Sequence, residues 1–132
     1  MTEEFVTLET AKLLKEKGFK EDVFTFYEAD CVEGDFELFE SYEAENFNAR
    51  ADNFSAPTQS IALKWLREIK GVYVWVEPVI GKRWKVSFCD FNVPTEDSDW
   101  MENEINKGNG YPVYDTYEKA LEVGILETLK LI

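Results

Sequence analysis

The stretch Val72-Tyr73-Val74-Trp75-Val76-Glu77-Pro78-Val79-Ile80-Gly81-Lys82-Arg83-Trp84-Lys85-Val86-Ser87-Phe88-Cys89 decides the fold. Its residues alternate with period two, the signature of a strand with two different faces. Val72, Val74 and Val76 face one way, and Tyr73, Trp75 and Glu77 the other. Trp84, Val86 and Phe88 then alternate with Arg83, Lys85, Ser87 and Cys89. Gly81 lies in the connection, so the two runs predict a hairpin. Pro78 lacks an amide proton and fits the end or the edge of the first strand better than its middle.

Upstream, Ile61, Ala62, Trp65, Leu66 and Ile69 recur at helical spacing and predict a helix with one apolar face. Either Pro57 is its first residue or Thr58 its cap, and Gly71 ends it. A further helix is expected over about 7–17. Thr7 is the candidate N-cap, Gly18 the C′ residue, and Phe19 the hydrophobic contact that folds back. Val23 to Tyr27 reads as a strand, Cys31 to Asp35 as a turn, and Phe36 to Tyr42 as an antiparallel partner. Residues 43–55 read as a polar loop anchored by Phe47 and Phe54, with room for another short strand.

Downstream, residues 92–114 are turn-like and long for a connection, with room for a helical turn near 100–105. The last helix is expected to begin at Asp115, which has capping-box spacing to Glu118. Ala120, Leu121, Gly124, Ile125, Thr128, Leu129 and Ile132 line one of its faces. Gly124 inside a helix costs about 1 kcal/mol against alanine, so a packing reason is expected there. The order α-β-β-α-β-β-α predicts one α+β domain over residues 1–132: an antiparallel sheet of about four strands with helices on one face.

Composition narrows the chemistry. The chain has 132 residues, a net charge of −13 and no histidine. Without histidine, Ser-His-Asp and Cys-His catalysis cannot be built, nor can His-ligated zinc or the facial iron triad. Cys31 and Cys89 are too few for a four-cysteine metal site. One disulfide is arithmetically possible, but a reduced, unreactive pair in a cytoplasmic protein is expected. The acidic start and the lack of any apolar run of about 20 residues predict neither a signal peptide nor a membrane span. So negative a chain is not expected to bind nucleic-acid phosphates directly.

Carboxylate clusters supply the remaining candidates. Asp30, Glu33 and Asp35 surround a glycine but lack the calcium-loop pattern. Glu96, Asp97, Asp99, Glu102 and Glu104 form a denser run: a solvated loop first, a docking or cation surface second. No glycine-rich phosphate loop is present. No cofactor or metal is expected. If the valines of the 72–77 strand face the helices, Tyr73 and Trp75 lie on an open face, with Trp84 pairing across to them. The alternative is that residues 43–55 or 92–114 cover them.

Three segments carry a resemblance: Thr7-Leu8-Glu9-Thr10-Ala11-Lys12 with Gly18-Phe19; Ala56-Pro57-Thr58-Gln59-Ser60 with Lys64-Trp65-Leu66-Arg67-Glu68; and Tyr114-Asp115-Thr116-Tyr117-Glu118-Lys119-Ala120-Leu121-Glu122 with Leu129-Lys130-Leu131-Ile132. The chain resembles small proteins of Bacteroides-group gut bacteria, their phages and mobile elements. The resemblance implies a genomic setting and carries no activity with it. Its segments are explained structurally, except Lys64 and Arg67, which are candidates for pairing with acidic neighbours or a partner.

Three functional expectations follow. The first is a non-enzymatic protein acting through contact with a protein partner or as a homodimer. Its candidate surface is Tyr73, Trp75, Trp84, Glu96, Asp97, Asp99 and Glu102. The second is an acidic mimic of nucleic acid, its arrayed carboxylates imitating phosphates toward a DNA-binding protein. The third is an enzyme or ligand-binding protein with carboxylates in a pocket.

Overall fold

The computed structural model of the chain describes residues 4–29, 34–106 and 111–132. Among these there are four α-helices and five strands, an α+β composition. They divide into two compact units, residues 1–61 and 62–132. The strands form a three-stranded sheet in the first unit and a two-stranded one in the second, every pair antiparallel. The expected single sheet of about four strands is therefore two sheets, and the order gains a strand at 53–55 and a helix at 100–106.

The first unit opens with α1, Leu8–Glu16. The Thr7 side chain accepts a hydrogen bond from the Thr10 amide at the N-cap. At the other end Gly18 takes φ +95°, and the Phe19 amide donates to the Leu14 carbonyl at 2.9 Å. The Gly18 amide donates to Lys15, completing the paired closure of a left-handed helix end. Phe19 and Leu14 are both buried, the apolar contact that accompanies such an end.

The sheet comprises β1 (Val23–Ala29), β2 (Phe36–Glu45) and β3 (Asn53–Ser55) in the order β2-β1-β3. The ring of Phe26 stacks on Phe39 of β2 and on buried Phe47 of the loop. Lys15 fastens the same loop to α1: its ammonium donates to the carbonyls of Arg50, Ala51 and Asn53. The Asn48 side chain joins the Phe19 carbonyl to the Ser55 amide. Residues 43–55 are thus largely structured, with β2 running three residues past the expected end and β3 using the second edge of β1.

Helix α2, Gln59–Trp65, crosses the division between the units and widens into a π-type turn over Leu66–Lys70. The Thr58 hydroxyl accepts from the Ile61 amide, so Thr58 is the cap. Ala62, Trp65 and Leu66 are buried, whereas Ile61 and Ile69 are exposed. The apolar stripe is narrower than its spacing suggests. Ile69 falls in the widened turn, where the 3.6-residue period no longer holds.

The second unit is built on β4 (Val72–Val79) and β5 (Arg83–Asp90). Helix α4, Tyr117–Leu131, covers their valine face. A Cβ on Gly124 would lie 2.5 Å from Val86 Cγ2 and 3.0 Å from Val74 Cγ1, so glycine is what lets the helix sit this close. Its cap is Thr116, whose hydroxyl accepts from the Lys119 amide, in place of the expected Asp115. Helix α3, Trp100–Asn106, lies beside β5. Among the described residues no helix is long and apolar enough to cross a membrane.

Candidate functional site

The pairing register places the aromatic residues of the hairpin. Tyr73 opposes Cys89, Trp75 opposes Ser87, and Glu77 opposes Lys85. Residues directly opposite share a face, so these six form one surface, away from the valines that α4 covers. Tyr73 and Trp75 stack at 5.3 Å, and Phe91, just past β5, stacks on Tyr73 at 6.3 Å. Tyr73 is 40% exposed and Phe91 59%, with Trp75 half-buried.

The row continues into a polar end. The Trp75 indole N–H donates to Glu77 Oε1 at 2.8 Å, and the Ser87 hydroxyl donates to the same oxygen at 3.3 Å. Lys85 lies 3.7 Å from Glu77 Oε2 and 4.6 Å from the centre of the Tyr111 ring. The Trp75 bond above all, then the Lys85 charge and the Ser87 bond, hold the Glu77 carboxyl below its ordinary value despite the opposing effect of burial. Stacking of Trp75 on Tyr73 and the Ser87 and Lys85 contacts of Glu77 fix the Trp75–Glu77 pair from either end, which suits a contact surface whose rings are held in place before binding.

Trp84 stands elsewhere. It opposes Pro78, on the face of Val74, Val76 and Val86, and meets Tyr117 of α4 edge-on at 5.5 Å. The expected pairing of Trp84 with Tyr73 and Trp75 is therefore corrected. The three-residue connection Ile80–Lys82 fixes a register that puts Trp84 on the covered face.

The acidic run is dispersed over several elements. Glu96 and Asp97 sit exposed in a 3-10 turn, Thr95–Asp97, and Asp99 is exposed just before α3. Glu102 turns back to β5, where its Oε1 accepts from the Phe88 amide at 2.9 Å. Nearby, buried Asp90 accepts from the Trp100 indole at 2.7 Å and from the Asn92 amide and side chain. Burial pushes the Asp90 carboxyl up, but these hydrogen bonds outweigh it, and the net shift is downward. No three Cys, Asp or Glu side chains among the described residues group to hold a metal ion. Of the candidate cluster near the first hairpin, Asp30 and Glu33 lie outside the described residues, as does Cys31.

Among the described residues of 92–114, hydrogen bonds run along the outer edge of β5, and the Tyr111 ring lies over Lys85 at the polar end of the row. Tyr114 exchanges both backbone bonds with Trp84, Ser98 accepts from the Asp90 amide, and Glu102 accepts from Phe88. A shallow groove of about 570 Å³ opens beside this edge, lined by Arg83, Val113, Tyr114, Asp115, Thr116 and Lys119. Among the described residues Asp115 is the one carboxylate in its lining. Burial, then the charge of Glu127, push the Tyr114 phenol up. Sequence reasoning missed Phe91, Lys85 and Tyr111 as neighbours of the row. Phe91 continues the parity of Ser87 and Cys89, and that signal was present.

No protein-family model, curated protein or solved structure matches the chain.

Proposed function

We propose that this chain acts through protein–protein contact, using the Phe91-Tyr73-Trp75 face of the hairpin, and that its partner there is a second copy of itself. The observation that carries this is the stack of three rings on the face opposite α4, two of them well exposed. Aromatic residues are enriched at protein interfaces, and exposed apolar patches rimmed by polar groups mark them. The choice of a second copy rests on charge. The face carries Glu77 beside Lys85 and Arg83, so it offers both signs. Two such faces related by a two-fold axis can set each carboxylate against the other copy's cations. The chain as a whole carries −13 and repels its copy, which leaves a mixed-sign apolar face as the favourable place to meet.

Light scattering after size-exclusion chromatography tests the reading. A dimer is expected, converting to monomer when Tyr73 and Phe91 are both replaced by serine with the fold retained by circular dichroism. A strict monomer at every concentration overturns it, and so does a dimer that the double substitution leaves intact.

A further inference from the structure

The two sheets treat their edges differently. The outer edge of β5 is bonded by Tyr114, Ser98 and Glu102. Among the described residues the outer edge of β2 has no strand beside it: β2 is terminal in the order β2-β1-β3. Among the described residues its one further amide bond is from Glu43 to the Ser41 hydroxyl. The outward-facing backbone groups of this ten-residue strand, which pairs with β1 along its other edge, are a template for another strand.

The side chains of β2 specify what kind of strand. Phe36, Leu38, Phe39 and Tyr42 are all exposed. The register places Phe36, Leu38 and Glu40 on one face, and Glu37 with Phe39 on the other. Apolar and acidic groups are thus offered on both faces. Residues 36–45 hold Glu37, Glu40, Glu43 and Glu45 and no lysine or arginine. Glu45 pairs with Arg50 at 2.7 Å; among the described residues the other three make no ion pair. A second copy of β2 would set glutamate against glutamate, and like charges directly opposite are destabilising. A cationic strand would meet carboxylates on both faces.

We infer that the outer edge of β2 receives an extended, lysine- or arginine-rich segment of another protein as an added strand. Backbone bonds would supply register-independent affinity, and the alternating acidic and apolar side chains the choice of partner. This surface belongs to the first unit and the hairpin face to the second, and the two use no residue in common, so either reading can fail alone.

The probe is a synthetic peptide of about ten residues alternating lysine and valine, long enough to span β2. Two controls share its length. One replaces lysine by glutamate; the other keeps the lysines and replaces the valines by proline, which cannot donate to a ladder. Binding is followed by calorimetry, and amide hydrogen exchange locates it. The lysine–valine peptide is expected to bind and to slow exchange at alternate amides within 36–45. The triple variant E37Q/E40Q/E43Q, exposed and tolerant of the change, should lose roughly tenfold in affinity. Absence of binding overturns the inference. Equal binding of the proline peptide reduces it to loose charge attraction and overturns strand addition. Protection confined to residues outside 36–45 overturns the location.

Discussion

A single methyl group at position 124 is enough to test how α4 meets the hairpin. The Cβ of alanine would fall closer than van der Waals contact to Val86 of β5 and Val74 of β4, strands that hydrogen-bond to each other and cannot recede freely. Alanine gains about 1 kcal/mol of helix propensity over glycine, while overpacking costs roughly 1–3 kcal/mol. Packing wins, so Gly124→Ala should lower the urea midpoint with the slope unchanged, by up to about 2 kcal/mol in net stability. A neutral or stabilising result would mean the helix sits farther from the sheet. Asp90 makes a second residue-scale prediction. Hydrogen bonds from Trp100 and Asn92 hold its carboxyl below the ordinary carboxylate value in the fold, so at acid pH the unfolded chain binds the proton more readily. The stability it contributes is complete above that ordinary value and is lost as pH falls through the folded one. Melting curves of the native chain and Asp90→Asn should therefore differ near neutral pH and converge on acidification. Parallel curves would remove Asp90 as the source.

At the scale of elements, Lys15 tethers a helix to a loop that the sequence leaves nearly featureless. Its three carbonyl partners are unequal: those of Arg50 and Ala51 are open to water, and that of Asn53 is part-buried. Water replaces the first two bonds, so Lys15→Met should cost only about 1–2 kcal/mol. Hydrogen exchange should quicken over 50–55 and stay slow in α1; uniform quickening would show a global loss instead. What was legible here was local. Thr7, Gly18 and Phe19 declare the ends of α1 because a cap is made by neighbours in the chain, and the valine alternation over 72–77 declares β4. β3 is legible only as room for a short strand within 43–55; its bounds and pairing are not, since three residues carry no period and its partner β1 lies some distance back in sequence. Nor was the face of Trp84, which depends on register across a turn. Glu102 read as one charge in a run, and nothing in its neighbours shows that it accepts from a β5 amide. The aromatic pair Tyr73 and Trp75 is visible as a face, and the parity of Lys85, Ser87, Cys89 and Phe91 is visible as another; that the two are one surface depends on the register across the hairpin.

Over the whole molecule, charge decides how the two proposed contacts respond to salt, and the responses have opposite signs. The chain carries −13, and among the described residues three ion pairs offset like-charge repulsion. Two copies approaching through the hairpin face bring both full charges together, while the contact itself rests on rings and on mixed-sign groups. Screening therefore removes more repulsion than attraction, since the Debye length shrinks from about 30 Å at 0.01 M to about 8 Å at 0.15 M. The dimer fraction at fixed protein concentration should rise over that range. A lysine-rich strand on β2 answers in reverse, because Glu37, Glu40 and Glu43 attract it through water. Its affinity should fall with salt toward a residual that backbone bonds and the exposed Phe36, Leu38 and Phe39 maintain. Light scattering and calorimetry across one salt series measure both. Self-association that weakens as salt rises would place it on complementary charges and not on the aromatic row. Peptide affinity indifferent to salt would remove the carboxylates of β2 from recognition.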